Sequence, residues 1–403
     1  MATVAIIAEY NPFHRGHEYQ ISKIREMLGT DTEIVAIMSG NTVQRGDVAV
    51  LDKYTRAECA VRCGVNLVLE LPFPFCSASA ELFAASGVRI ADSLGVIDYL
   101  AFGSESGDID ELCEVADLLR SDLFKEAFSA ISLDNLHLGA GYPELIEAAY
   151  KSITKKKGSP FSPNNILGIE YIKELKAIDS AIKPITIKRE GAGFNEEQIT
   201  GCGYESATAI RATAMQSPAS ILRYVPNNSR KTIECAIDNG LFPASADNLS
   251  SFIIPSLLLN STASHDDIHD AAGGLYNRLI AAARKSVTIS ELVRLSETKR
   301  YTNARIRRAV LFSYLGVTSS EVKALPAYTQ VLASDKIGFG ILARARKSSA
   351  IPILTKPTDT DKLGKNAMDQ KALSDKVDVL FGHATEKKRS MQDMLSRTPY
   401  VVK

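Results

Sequence analysis

Two histidines stand three apart around a glycine in Asn11-Pro12-Phe13-His14-Arg15-Gly16-His17, the chain's densest gathering of chemically competent side chains. An imidazole can donate to an oxygen that gains negative charge as phosphorus is displaced, and two aimed at one phosphate act on the same charge. Gly16 has no Cβ, so a phosphate or a second backbone can come close to the N–H groups beside it. The chemistry these residue types suggest is a displacement at a nucleotide phosphate. A plain surface turn is the alternative, and behind it a metal pair, which finds no cysteine or acidic partner at ligand spacing nearby.

Such chemistry needs a rigid mount. Val4 to Ala8 is an apolar run, Asn11-Pro12 breaks it, and Ile21, Ile24 and Leu28 then recur at helical spacing. Strand, tight turn and helix start place His14 and His17 at a helix N-terminus, where free N–H groups and the positive dipole end attract anions. Further apolar runs, Glu33 to Met38, Val65 to Leu71, Val96 to Phe102 and Ile182 to Ile187, alternate with helical stretches. The predicted fold class is α/β, a Rossmann-like doubly wound parallel sheet whose ligands sit beyond the carboxyl ends of the strands. Glu9 to His17, Ser39 to Asn41, Glu70 to Pro72 and Gly103 to Glu105 all fall on that edge. Asn164, in Ser162-Pro163-Asn164-Asn165, opens a helix over Leu167 to Ala177. Lys188-Arg189-Glu190-Gly191 is a basic, glycine-bearing strand end suited to a triphosphate. In Glu205-Ser206-Ala207-Thr208-Ala209-Ile210-Arg211 a further helix begins, with Ser206 as its cap and Arg211 one turn on.

From Asp247 the pattern becomes mostly helical, over Leu249 to Leu258, Ile268 to Ala283 and Ile289 to Leu295. A division is therefore expected between a nucleotide-handling part, 1–240, and a mainly helical part, 241–403. Within the second, Lys299, Arg300, Arg305, Arg307 and Arg308 crowd one short stretch around Tyr301. Lysine plus arginine equals aspartate plus glutamate at 47 each among 403 residues, so an RNA surface must come from such clustering. Lys336 to Lys347 and Lys387-Lys388-Arg389 are weaker clusters of the same kind. His265 and His269, four apart, fit an acidic helix start better than a metal site. Six cysteines include no Cys-x-x-Cys pair, and no apolar run approaches the ~20 residues of a membrane span, so a soluble cytoplasmic protein with buried thiols is expected.

The His-x-Gly-His motif resembles that of the nucleotidyltransferase superfamily, which includes class I aminoacyl-tRNA synthetases and cofactor adenylyltransferases. Ala8 to His17, followed by Met38-Ser39-Gly40-Asn41-Thr42-Val43-Gln44-Arg45-Gly46, is similar to the bacterial tRNA(Met) cytidine acetate ligases. That resemblance implies that ATP, with Mg²⁺, lies across Ile7-Ala8-Glu9-Tyr10-Asn11-Pro12-Phe13-His14-Arg15-Gly16-His17-Glu18-Tyr19-Gln20. It implies further contacts from Gly103, Asn164 and Arg189, and, through a Ser-x-Thr-x-Ile-Arg element, from Ser206, Thr208 and Arg211. His14 and His17 would be catalytic: acetate attacks the α-phosphate, acetyl-adenylate forms, and N4 of the wobble cytidine of elongator tRNA(Met) takes the acetyl group. The five cations from Lys299 to Arg308 would hold the tRNA. A Lys-Met-Ser-Lys-Ser loop, as in the synthetases, is absent, and no set of Mg²⁺ ligands stands out. The rivals are a cofactor adenylyltransferase, which needs no basic helical part, and a non-catalytic ATP-sensing RNA-binding protein, which needs no histidine pair.

Overall fold

A computed structural model of the chain describes residues 1–134, 142–156, 158–190, 199, 203–260 and 267–402. Its strands are β1 (Thr3–Ala8), β2 (Glu33–Ser39), β3 (Leu67–Leu71), β4 (Tyr99–Ser104), β5 (Lys183–Lys188), β6 (Thr329–Ser334), β7 (Ile353–Leu354) and β8 (Tyr400–Val401). β2 and β3 are buried along their whole length, which is why they read as continuous apolar runs and not as alternation. The order across the sheet is β5-β4-β1-β2-β3-β6-β7, with β8 beside β6. The first five strands are mutually parallel.

Helices α1 (Arg15–Leu28), α2 (Lys53–Arg62), α3 (Ala80–Ser93), α4 (Ile109–Arg120), α5 (Asp122–Asp134), α6 (Tyr142–Thr154) and α7 (Pro163–Ala177) link or flank these strands. After β5 come α8 (Ala207–Gln216), α9 (Asn227–Asp238), α10 (Ser250–Leu259), α11 (Leu275–Ala283), α12 (Ile289–Ser296), α13 (Asn303–Leu315) and α14 (Ser319–Lys323). The last are α15 (Lys336–Ser348), α16 (Lys365–Phe381) and α17 (Met391–Leu395). One apolar cluster joins α1, α2, α8 and α9 to one face of the sheet. The other face carries α3 and α7 in a cluster that runs on without a break into α10 to α13. No helix among the described residues is long and apolar enough to cross a membrane.

The expected α/β class holds: the sheet is mostly parallel, and mixed where β6 returns antiparallel to β3. Across the expected 240/241 division, β6 to β8 belong to the same sheet and the Phe73 and Phe312 rings lie 5.8 Å apart. Pattern reading sees helices from Asp247 onward but not a short returning strand whose partner is a distant edge.

Polar groups cross the same line. Lys53 Nζ, buried at the start of α2, donates to both Glu70 oxygens at 2.9 Å and to Asp378 Oδ2 at 2.6 Å. Asn41 completes the network, donating to Asp378 Oδ1 at 2.8 Å and accepting from the Lys53 N–H at 2.7 Å. Burial works against the Lys53 charge, but the two carboxylates hold its pKa well above the ordinary value. Burial likewise raises that of Glu70. Replacing Lys53 by Met leaves two buried carboxylates face to face, and should cost about 3–5 kcal/mol in urea unfolding at pH 7. The loss should shrink at pH 5, since a carboxyl that binds a proton no longer repels its neighbour. A variant as stable as the parent at both pH values would show that the lysine does not hold this junction.

Candidate active site

Between β1 and β4 the chain reverses its direction of travel across the sheet, and a crevice opens beyond the carboxyl ends of the two strands. Ile7 to Tyr10 and Phe102 to Gly103 form its floor, with Ile187 to Arg189 from the end of β5 beside them. Every residue assigned to ATP from the sequence lines this crevice except Pro12, Phe13, Arg15 and Glu18. Phe13 is buried under the turn, packed 4.8 Å from the Tyr10 ring, and Arg15 is exposed outside.

The histidines build the turn as well as occupying it. His14 is the N-cap of α1: its Nδ1 accepts from the Gly16 N–H at 3.0 Å, while the His14 N–H donates to His17 Nδ1 at 3.2 Å. The two rings lie 3.9 Å apart. A Cβ on residue 16 would stand 2.9 Å from His14 Cε1, so the glycine is needed for the ring to sit over the backbone. Because each Nδ1 accepts from a backbone N–H, the proton of each neutral ring is on Nε2. Burial pushes the pKa of His14 down to about 3, with Arg189 and Arg211 adding to the effect. Burial, then His14 and Arg189, hold His17 well below its ordinary value too. The site therefore presents two neutral N–H donors already fixed in orientation.

Other elements fix the surroundings. Arg211 reaches from α8 to the Asn11 carbonyl at 2.9 Å and to Thr208 Oγ at 3.1 Å. Ser206 acts as the expected cap, accepting from the Ala209 N–H at 2.9 Å. Asn11 Oδ1 accepts from the Val50 N–H at 2.8 Å, and Glu9 Oε1 accepts from the Gln44 N–H at 3.0 Å, which joins the His-bearing turn to the loop after β2. That loop brings Gln44 and Arg45 into the crevice, and neither was assigned from the sequence. Their signal was available, since they follow the carboxyl end of β2 within the Met38 to Gly46 run.

Glu105 explains the placing of Asn164. Its carboxylate accepts from Ser162 Oγ at 2.7 Å, from Asn164 Nδ2 at 2.6 Å and from the Asn164 and Asn165 N–H groups at 3.2 and 3.0 Å. Burial alone would raise its pKa, but these bonds hold it below the usual value. The N-terminus of α7 is thus capped by a carboxylate of the chain itself, and Asn164 enters the crevice wall with its amide nitrogen already bound.

Residues 1–393 match the family described as HIGH Nucleotidyl Transferase. The chain belongs to that family. Relatives named tRNA(Met) cytidine acetate ligase include one from Caldanaerobacter subterraneus subsp. tengcongensis, 38% identical over 364 residues, covering 88% of this chain and 89% of the relative. Another, from Clostridium novyi, is 36% identical over 368 residues, with 88% and 90% covered. Among solved structures, Thermotoga maritima TmcAL bound with alpha-thio ATP superposes with a TM-score of 0.89 at 31% identity, covering 100% of this chain and 99% of that one.

The basic run of this HIGH nucleotidyltransferase differs from the exposed stripe expected of it. Arg308 is buried and paired with Asp270 at 2.5 Å, and Arg305 stands 3.7 Å from the same carboxylate. Arg307 pairs with Asp47 at 3.0 Å, and a Cβ at Gly46 would collide with the Arg308 backbone, so α13 seats the loop that carries Gln44 and Arg45. Only Lys299 and Arg300 remain exposed. In the other clusters Arg344 pairs with Glu33 and Arg389 with Asp52. His265 lies outside the described residues; His269 lies 3.3 Å from Ser319 Oγ. No group of three or more His, Cys, Asp or Glu among the described residues could hold a metal ion.

The lowered histidine pKa values have a consequence for stability. The folded state binds fewer protons here than the unfolded chain, whose histidines titrate near 6.5. Stability from this source is complete above that pH and declines as pH falls toward the folded-state values, by about 1.4 kcal/mol per pH unit for each histidine. Urea unfolding at pH 7 and pH 5 should show this loss, and His17→Gln should reduce it. Equal losses in parent and variant would mean that the pair titrates normally.

Proposed function

We propose that this chain activates acetate with ATP as acetyl-adenylate, and transfers the acetyl group to N4 of the wobble cytidine of elongator tRNA(Met). The observation that carries this function is the crevice itself: paired neutral Nε2–H donors at the switch point of the sheet, in a chain that superposes on a TmcAL bound to an ATP analogue. The names of the relatives support the acceptor, and favour neither a cofactor adenylyltransferase nor a non-catalytic ATP sensor.

The triphosphate would lie across the N-terminus of α1, with Arg189 and Arg211 as cations beside it and Asn164 on the nucleoside side. An acetate oxygen attacks the α-phosphorus, the bond to the β-phosphate bridging oxygen breaks, and pyrophosphate leaves. His14 and His17 donate from Nε2 to the oxygens on which charge builds, and being neutral they need no proton transfer to do so. The cytidine amine then attacks the acetyl carbonyl and AMP departs. Mg²⁺ has no cage among the described residues, so it would be held chiefly by the triphosphate, as is common for this ion.

The test is incubation with ATP, labelled acetate and total tRNA, followed by nucleoside analysis for N4-acetylcytidine. Robust pyrophosphate release with a phosphorylated cofactor precursor, and none with acetate, would move the protein to the adenylyltransferases. In the same assays His14→Ala or His17→Ala should lower acetate-dependent pyrophosphate exchange by roughly 10²-fold or more, the scale of losing one preorganised donor. Exchange near the parental rate would remove the assigned role.

Selectivity among carboxylates follows from the size of acetate. An apolar wall distinguishes one methylene by only about 1–3 kcal/mol, so propionate should be used roughly 10- to 200-fold less efficiently than acetate. Equal kcat/KM for the two acids would rule out a close-fitting methyl pocket.

A further inference from the structure

Arg15 sits between His14 and Gly16, which both line the crevice, yet it does not line it; it is exposed at the first position of α1. Its N–H donates to the Tyr224 carbonyl at 3.2 Å, so residues 223 and 224 share this corner of the molecule. The exposed Arg223 guanidinium lies over the Tyr224 ring, 4.8 Å from its centroid, and the half-buried ring packs on the core beneath. Neither Arg15 nor Arg223 pairs with an acid among the described residues. One turn further along α1, Tyr19 lines the crevice with Tyr204, their rings 5.3 Å apart. Aromatic and cationic groups thus run from the mouth of the crevice to Tyr224.

The densest basic run of the chain, by contrast, is mostly turned inward onto Asp270 and Asp47. A polyanion delivering a base to the crevice must find cations elsewhere. A strand whose base approaches His14 passes beside Arg15 and the positive end of α1. An arginine held over an aromatic ring there can stack beneath a base or pair with a phosphate, which is how single-stranded nucleic acid is commonly gripped.

We propose that Arg15, Arg223 and Tyr224 form a rim platform for single-stranded RNA, on which a nucleotide next to the modified cytidine stacks while the two arginines meet its flanking phosphates. The platform deepens the function proposed above and rests on it.

The test measures binding and acetylation of an elongator tRNA(Met) transcript by wild type, Arg223→Gln, Tyr224→Phe and Tyr224→Leu, with melting temperatures taken alongside. Arg223→Gln and Tyr224→Leu should weaken tRNA binding by roughly 5- to 150-fold, the scale of one lost stacking contact. Tyr224→Phe, which keeps the ring, should bind as wild type does. Acetate-dependent pyrophosphate exchange should be unchanged in all three. Arg15→Gln combined with Arg223→Gln should flatten the dependence of log K on log salt by about 1.4, from two lost contacts to a single strand. If wild type acetylates the transcript while the Leu and Gln variants bind it unaltered with an unaltered salt slope, the platform is overturned alone. A wild type that neither binds nor acetylates it overturns both the platform and the function.

Discussion

A single buried cation holds the ends of two neighbouring strands together. Arg56, on α2 and wholly inaccessible, donates to the carbonyls of Glu9, Ser39, Gly40 and Leu51, the last at 2.9 Å and Ser39 at 3.0 Å. Burial lowers its pKa to about 10, which leaves it charged at neutral pH. Carbonyl groups at strand ends have no ladder partner, and leaving several of them buried and unpaired would be costly. One planar, five-donor side chain satisfies them together and fixes how far the turn after β1 stands from the loop after β2. His14 and His17 are mounted on the first of these, Gln44 and Arg45 on the second.

This arrangement makes the site stiff before any ligand arrives. The Asn11–Val50 and Glu9–Gln44 hydrogen bonds span the same gap. Arg211 and the Glu105 carboxylate secure the remaining walls. Donors held in this way lose little freedom when charge develops in front of them, which is the condition under which a hydrogen bond contributes to rate. The same stiffness has a cost: two imidazoles are kept neutral where burial and neighbouring cations disfavour their charged forms.

Local signals were the legible ones. The strand, turn and helix around the histidine pair are encoded within some thirty residues, from apolar run, breaker and helical spacing, and the crevice followed from the rule that ligands sit at strand ends. Apart from Gln44 and Arg45, what failed to show was mostly a matter of distant partners. A run such as Arg305 to Arg308 looks the same whether its charges face water or acids, and nothing near it reveals that Asp270 and Asp47 will be opposite. Arg15 lies within the motif, but the spacing of the motif does not tell which way the chain turns that one side chain. β6 is six residues with little alternation, and only the open edge of β3 gives it a place. Glu105 reads as an ordinary acidic turn residue until α7 returns to meet it.

The edge strand β6 and the carboxylate of Asp378 have a bearing on biosynthesis. β3 is complete at Leu71, yet the strand that covers its edge begins at Thr329, and the second carboxylate on Lys53, that of Asp378, comes later still. At ribosomal speeds of roughly 5–20 residues per second, the nascent chain waits on the order of tens of seconds with a bare strand edge and with Lys53 paired to Glu70 alone. A chain interrupted in that interval would carry the histidine-bearing turn together with an exposed template for strand pairing. The edge of β3 is therefore among the parts of the sheet covered late in synthesis, long after the histidine-bearing turn has emerged.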